Sequence, residues 1–469
     1  MLRPLAATKP VAALLALSVG LLAPSTIVGG ERAGPDNPIE ARTASALSDS
    51  VQDVDYAADV EFALDALEER CGHFFDAKDI DWKKVRKQFT KEVRDVATHQ
   101  EHLVLLVRLL ARLEDGHAQV RPLPAGEDVR WPDEPERVGP GMFWCQVGKK
   151  IYVKNAWGTA AALGIHSGWE VKKVGKQKVL DWLDERVAEL SDRSSFSTDH
   201  QAFFYACHWG LALPVGTRLD LELKTDEGKT KRRTLVYEKG NPVPSGPAFA
   251  PPGLPSTGLA NAGDLYYGLL EYEGVAGGLG YVHVRRCPSD LPEQMDAALA
   301  TLSGAAGIVL DFRGNSGGGF DHEGLMGRFV PAGETLDFVK SYSSAGAHPF
   351  GGPVVVIVDA TVRSAGETAS GMFKEDGRAY MIGESNTAGM SSSKTTIELP
   401  SGLFSLYVSV ASNMGRFNEG KGLEGIGAVP HEIVEFDPED LFAERDTLIL
   451  RALELLADGD LEGVPYRPH

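Results

Sequence analysis

The chain has 469 residues, 43% of them hydrophobic and 24% charged, with a net charge of −19. That is an ordinary globular composition, long enough for about three domains. Its acidity argues against a general binder of nucleic acid or anionic membranes. Residues 1–30 read as a secretory signal. Arg3 and Lys9 precede an apolar stretch, Val11 to Leu22, too short to span a bilayer comfortably, and Val28-Gly29-Gly30 suits cleavage. An uncleaved anchor is the alternative. With no second apolar span, the expectation is an exported protein, periplasmic or extracellular, without a stable membrane span once the signal is removed. Cys71, Cys145, Cys207 and Cys287 allow three full disulfide pairings, or four buried thiols.

Residues 31–125 read as a flexible lead-in followed by an N-terminal helical domain. Val60, Leu64, Leu67 and Cys71 fall at helical spacing, as do Trp82, Val85, Phe89, Val93 and Val96. Thr98 and Glu101 have the spacing of a capping box, and Leu103, Leu106, Leu110 and Leu113 continue that helix. Gly116 suits a left-handed helix stop, and extended chain follows His117. Residues 126–240 form a β-rich module. Strands are expected at 142–147 and 150–155, a helix near 178–190, and a hairpin turning at Asp226-Glu-Gly228. This order resembles a PDZ domain, with residues 191–214 as an insertion. Prolines mark 241–262 as a linker. Residues 263–469 alternate strands with helices, which implies a largely parallel sheet, and 438–457 reads as a closing amphipathic helix.

In that last part, Val354 to Val358 reads as a strand buried on both faces. It runs through a polar turn into a helix opened by Ser364-Ala-Gly-Glu367. A serine at such an elbow is placed as a nucleophile, with backbone N–H groups beside it for an oxyanion. Ser-x-x-Glu is also a capping box, in which Ser364 would only close the helix. Upstream, Asp311-Phe-Arg313-Gly-Asn315-Ser-Gly317-Gly318-Gly319 follows another strand, and its glycines let backbone approach a substrate closely. Asp311 and Arg313 are expected to pair and fix that loop.

Four blocks in order, Asp311 to Gly318, Ser364 to Glu367, Gly383-Glu384 to Gly389, and Leu423 to Pro430, resemble the C-terminal processing and tricorn-core serine protease family. The resemblance implies a multidomain α/β fold: the helical domain, the PDZ-like domain, and a ClpP/crotonase-like protease core. It also implies a serine peptidase acting on peptide or unfolded protein segments, with no metal, cofactor or nucleic acid. Processing proteases place a lysine base where this chain has Met390. The tricorn-like branch uses a histidine, and His117 stands in the matching segment. In that branch a serine precedes the histidine and is held by a distant glutamate; here the positions are Gly116 and Glu424. The implied site is Ser364, His117 and Glu424, with Gly317, Gly318 and Ala365 around the oxyanion. Taken alone, His117 could merely neutralise a helix end, and Glu424 could be a surface charge in a glycine-rich loop. Lys394, the nearest other lysine, is expected to be solvated. A silent peptide or lipid carrier on the same core, or an esterase using Ser364, are the alternative functions.

Overall fold

The computed structural model describes residues 54–241, 246–337, 340–459 and 461; the expected signal and most of the lead-in lie outside the described residues. Three helices come first: α1 (Tyr56–Cys71), α2 (Trp82–Glu92) and α3 (His99–Ala111). Asp55, Asp81 and Thr98 cap them by accepting from backbone N–H groups. Thr98 and Glu101 form the expected capping box. Helix α2 stops at Glu92, and Val93 begins a 3₁₀ turn. The exit from α3 also differs from expectation. Glu114, at φ 48°, takes the left-handed conformation, and Gly116 does not. Gly116 is small for another reason: a Cβ there would lie 2.8 Å from Met390 Sδ.

After β1 (Gln119–Pro122) comes an antiparallel sheet. Strands β2 (Met142–Val147), β3 (Lys150–Ala156), β4 (Glu170–Val174), β5 (Arg218–Lys224) and β6 (Thr230–Val236) lie side by side in that order. Trp144, Val153, Val171 and Leu221 pack there against Leu183 of α4 (Val179–Ser191). The insertion between α4 and β5 carries a helix of its own, α5 (Asp199–Cys207), capped by Thr198.

The rest is built on a seven-stranded sheet, ordered β7 (Ala260–Ala262), β8 (Leu265–Leu270), β9 (Leu279–Val284), β10 (Gly307–Asp311), β11 (Val354–Val358), β12 (Tyr380–Gly383) and a short last strand at Glu432–Ile433. Neighbours from β9 onward are parallel, as alternating strands and helices require. Val354, Val356 and Val358 pack in one core with α6 (Leu291–Thr301) and α7 (Ala365–Glu375). Val355 and Ile357 pack in a second core. The closing segment supplies that second core, but as two helices, α8 (Pro438–Phe442) and α9 (Thr447–Asp458). Glu444, at φ 54°, lies between them and breaks the expected single helix.

Two consequences position the site. Strands β10 and β11 are parallel, with Asp311 beside Ile357, so the loops that follow them open on one edge of the sheet. The hairpin β13 (Ser392–Glu398) and β14 (Phe404–Ser412) leaves that sheet and pairs with β1. Leu403, Phe404, Leu406 and Val408 share a core with α1–α3, which carries the α3 exit to the C-terminal half of the chain. A buried ion pair, Lys154 Nζ to Glu384 Oε2 at 2.6 Å, ties the antiparallel sheet to this half. All four cysteines are buried and free. Among the described residues no helix is long and apolar enough to cross a membrane.

Candidate active site

Ser364 stands where β11 turns into α7, at φ 56° and ψ −125°. A non-glycine residue held there stores strain of roughly 1–3 kcal/mol, which the surroundings must hold in place. Glu367 supplies part of that hold. Its Oε2 accepts from the Ser364 N–H at 3.1 Å and the Met390 N–H at 2.9 Å. Its Oε1 accepts from the Thr387 hydroxyl at 2.6 Å and the Gly389 N–H at 2.7 Å. Four donors favour the carboxylate, yet full burial pushes the group up to about 7.

The glycine loop lies directly against the elbow. A Cβ on Gly317 would sit 2.9 Å from the Ser364 Cβ and 3.2 Å from the Ala365 nitrogen. Gly317 is therefore needed for close approach, and its φ of 86° suits glycine. Its N–H is already donated to Asn315 Oδ1 at 2.8 Å, which removes it from the expected oxyanion donors. Gly318 and Ala365 are engaged differently. Cys287 bonds to Gly317 and Gly319 on either side, and α7 begins at Ala365. Neither the Gly318 N–H nor the Ala365 N–H has a partner among the described residues. Asp311 and Arg313 pair as expected, and Asp446 joins them at 3.0 Å from the guanidinium.

His117 and Glu424 are brought together across 307 positions of sequence. A ring nitrogen of His117 and carboxylate oxygens of Asp115 and Glu424 all lie within 4.8 Å of one another. Among the described residues, His117 Nδ1 and Glu424 Oε2 are both buried without a hydrogen-bond partner. Glu424 is thus a buried group, not the surface charge that its loop allowed. The Ser392 hydroxyl also faces Glu424, but it donates to Ser409 Oγ at 2.5 Å. Burial raises the Glu424 carboxyl above its ordinary range, and Lys78 opposes that rise. Burial holds His117 at about 4, helped by the positive charges of Lys394, Arg363 and Lys78 and opposed by Asp115. Contacts join this cluster to the elbow: Met390 packs on Gly116 with its sulfur and bonds Glu367 with its N–H, as Ser364 does.

Several residues of the site carry no signal in the sequence. Lys78 places Nζ 2.9 Å from Glu424 Oε1 and 2.5 Å from the Glu114 carbonyl. Ser197, in the insertion, accepts from the Gly116 N–H at 2.9 Å and reaches Glu424 Oε1 at 3.5 Å. A hydroxyl missing from position 116 is therefore supplied from elsewhere in the chain. Thr198 and His200 bond the Ala388 and Thr387 carbonyls, so the insertion clamps both sides of the site. Lys394 lies on β13 and is half-buried. His431 is structural: its ring stacks on Tyr380 and its Nδ1 accepts from the Met381 N–H. Asp115, His117 and Glu424 are also the grouping of potential metal ligands found among the described residues. The Lys78 ammonium on Glu424 opposes a cation there.

Residues 278–434, which hold the glycine loop, the elbow and Glu424, match the sequence profile of Peptidase family S41. This stretch is a Peptidase family S41 domain. Over 190 residues the chain is 28% identical to a carboxyl-terminal-processing protease of Picosynechococcus sp., covering 38% of this chain and 45% of that one. Over 175 residues it is 30% identical to the chloroplastic C-terminal processing peptidase of Tetradesmus obliquus, covering 35% and 36%. These matches span less than half the length of either relative. The fold extends beyond the S41 domain. Mature CPAF complexed with lactacystin superposes with a TM-score of 0.61 at 13% identity, over 86% of this chain and 99% of that one. His117 lies outside the matched residues, in the helical region that packs onto them.

Proposed function

We propose that the chain is an exported serine peptidase cleaving peptide bonds in unfolded or C-terminal protein segments by a serine–histidine mechanism. What supports this reading is a strained, part-buried serine at a helix start together with a half-buried histidine that has a ring nitrogen within 4.8 Å of a Glu424 carboxylate oxygen. On this reading Nδ1 serves Glu424 and Nε2 serves Ser364. Ser364 Oγ attacks the carbonyl carbon while Nε2 takes its proton. The Gly318 and Ala365 N–H groups hold the oxyanion, and the imidazolium returns the proton to the leaving amine as the C–N bond breaks. Water then repeats the sequence on the acyl-enzyme. Glu424 steadies the imidazolium that forms in each half.

On this reading residues 126–240 are a PDZ-like module that presents an extended segment by strand addition, and 263–469 is a ClpP/crotonase-like core. Residues 1–30 direct export. A fluorophosphonate probe tests the proposal. It should label the wild type at Ser364 and leave Ser364→Ala unlabelled, and casein should be cleaved in preference to short acyl esters. Absence of labelling on folded protein points to a silent carrier, and esters turned over without casein point to an esterase.

A further inference from the structure

The backbone that leads into His117 is held from outside its own segment. Ser195 Oγ accepts from the Asp115 N–H at 2.8 Å and donates to the Leu110 carbonyl at 3.1 Å. Ser197 Oγ accepts from the Gly116 N–H at 2.9 Å, and its own hydrogen has Glu424 Oε1 at 3.5 Å. Asp115 and Gly116 are the two residues immediately before His117, whose own N–H goes to Asp115 Oδ1 at 2.9 Å. Gly116 makes the outside hold necessary. Met390 leaves no room for a Cβ there, and a glycine keeps more backbone freedom than any other residue. Bonding its N–H to a buried serine removes that freedom next to the base.

The same segment reaches the nucleophile's side. Phe196, between the two serines, is buried against Tyr205 of α5, with ring centroids 5.3 Å apart. The Ser197 N–H donates to Gln201 Oε1 at 2.8 Å, and Gln201 Nε2 donates to Met390 Sδ at 3.4 Å. Thr198 Oγ1 donates to the Ala388 carbonyl at 3.2 Å, and His200 Nε2 to the Thr387 carbonyl at 2.8 Å. Thr387, Gly389 and Met390 in turn donate to Glu367, which also holds the Ser364 N–H. A continuous path of hydrogen bonds therefore runs from the backbone of the base, through residues 195–201, to the backbone of the nucleophile.

We infer that Ser195 and Ser197 are positioning residues for His117, and that residues 195–201 set the separation of base and nucleophile. This rests on the serine peptidase reading and adds to it the groups that hold the base in place. In this role the serines touch neither substrate nor the reacting atoms. They restrict the backbone at Asp115 and Gly116, so their effect falls on proton transfer and not on substrate binding.

Ser195→Ala, Ser197→Ala and the double variant of the full chain test this. Hydrolysis of one unstructured peptide and the rate of fluorophosphonate labelling are the readouts, and thermal unfolding is the control. The double variant should lose about tenfold or more in kcat, with KM within about twofold of wild type, because a misplaced base slows the chemical step without weakening binding. Ser197→Thr keeps the hydroxyl and should recover part of what Ser197→Ala loses. In a His117→Ala background the two serine changes should alter the labelling rate by less than about twofold, since no base is left to position. The single variants carry the same comparison if the double variant does not fold. An undiminished kcat, a loss confined to KM, or a loss of equal size in the His117→Ala background overturns the inference. A wild type that neither hydrolyses the peptide nor takes the probe overturns the peptidase reading and this inference with it. An active wild type with unaffected serine variants overturns the inference alone.

Discussion

Lys78 Nζ lies 2.9 Å from Glu424 Oε1, across 346 positions of sequence. The pair is buried, with Lys78 only 4% exposed along its side chain. Its stem packs 3.1 Å from where a Cβ on Gly425 would be. Lys78 holds one oxygen of Glu424, and the other is buried without a partner among the described residues. In the proposed mechanism the ion pair acts through Glu424 on the base, which makes Lys78 a positioning residue.

Replacing Lys78 by Met should therefore lower kcat by about tenfold or more, because breaking one side of a buried pair leaves an uncompensated charge. A positive charge depresses every nearby protonation, so its loss should also move the acidic limb of the kcat/KM profile to higher pH. Lys78→Arg should recover part of both effects. A fall in activity that follows the folded fraction alone, with an unmoved profile, would reduce Lys78 to a structural role.

The base should be His117 and not Lys394. His117→Ala is expected to lose at least about a hundredfold on a neutral peptide, in the range of a general base. Lys394→Ala should lose less than about tenfold on the same peptide. The two variants assayed side by side decide the matter, and the reverse pattern would return the chain to a serine–lysine mechanism.

The position of the pH profile follows from the burial of that ring. An isolated histidine would put the rise near neutrality. Here desolvation, Lys394, Arg363 and Lys78 hold His117 at about 4. The neutral, proton-accepting form is favoured as pH rises through that value, so kcat/KM should climb in the acid range and be level by neutral pH. A rise centred near pH 7 would mean that the ring is more solvated, or more strongly paired with Glu424, than in this structure.

Glu367 links the elbow to the loop at Met390. In Glu367→Gln, one acceptor oxygen becomes an amide nitrogen, which must face an N–H or a hydroxyl donor. Either Ser364 and Met390 or Thr387 and Gly389 lose their acceptor. Fluorophosphonate labelling should slow by about tenfold or more, since a buried donor left unpaired costs roughly 1–3 kcal/mol. An unchanged labelling rate would show that the backbone at Ser364 holds its geometry without Glu367.

What the sequence determined is what depends on near neighbours. The all-apolar run Val354–Val358 could only be a buried strand, and it forms with those bounds. Thr98 and Glu101 cap α3 because a capping box needs only four residues. The glycines after β10 and the Ser364 elbow announce a loop and a helix start in their own local chemistry. The tertiary structure decided the rest. Helical periodicity places leucines on the inner face of α1, but not the partner on which that face closes. Because that core includes Leu403, Phe404, Leu406 and Val408, Lys78 reaches Glu424 and the α3 exit meets Met390. Gly116 reads locally as a helix stop, yet it is small because Met390 lies over it. Ser197 sits in what reads as an insertion, and only folding places its hydroxyl between Gly116 and Glu424. Contacts across hundreds of residues are set by which apolar faces bury together, and no spacing along the chain encodes that distance.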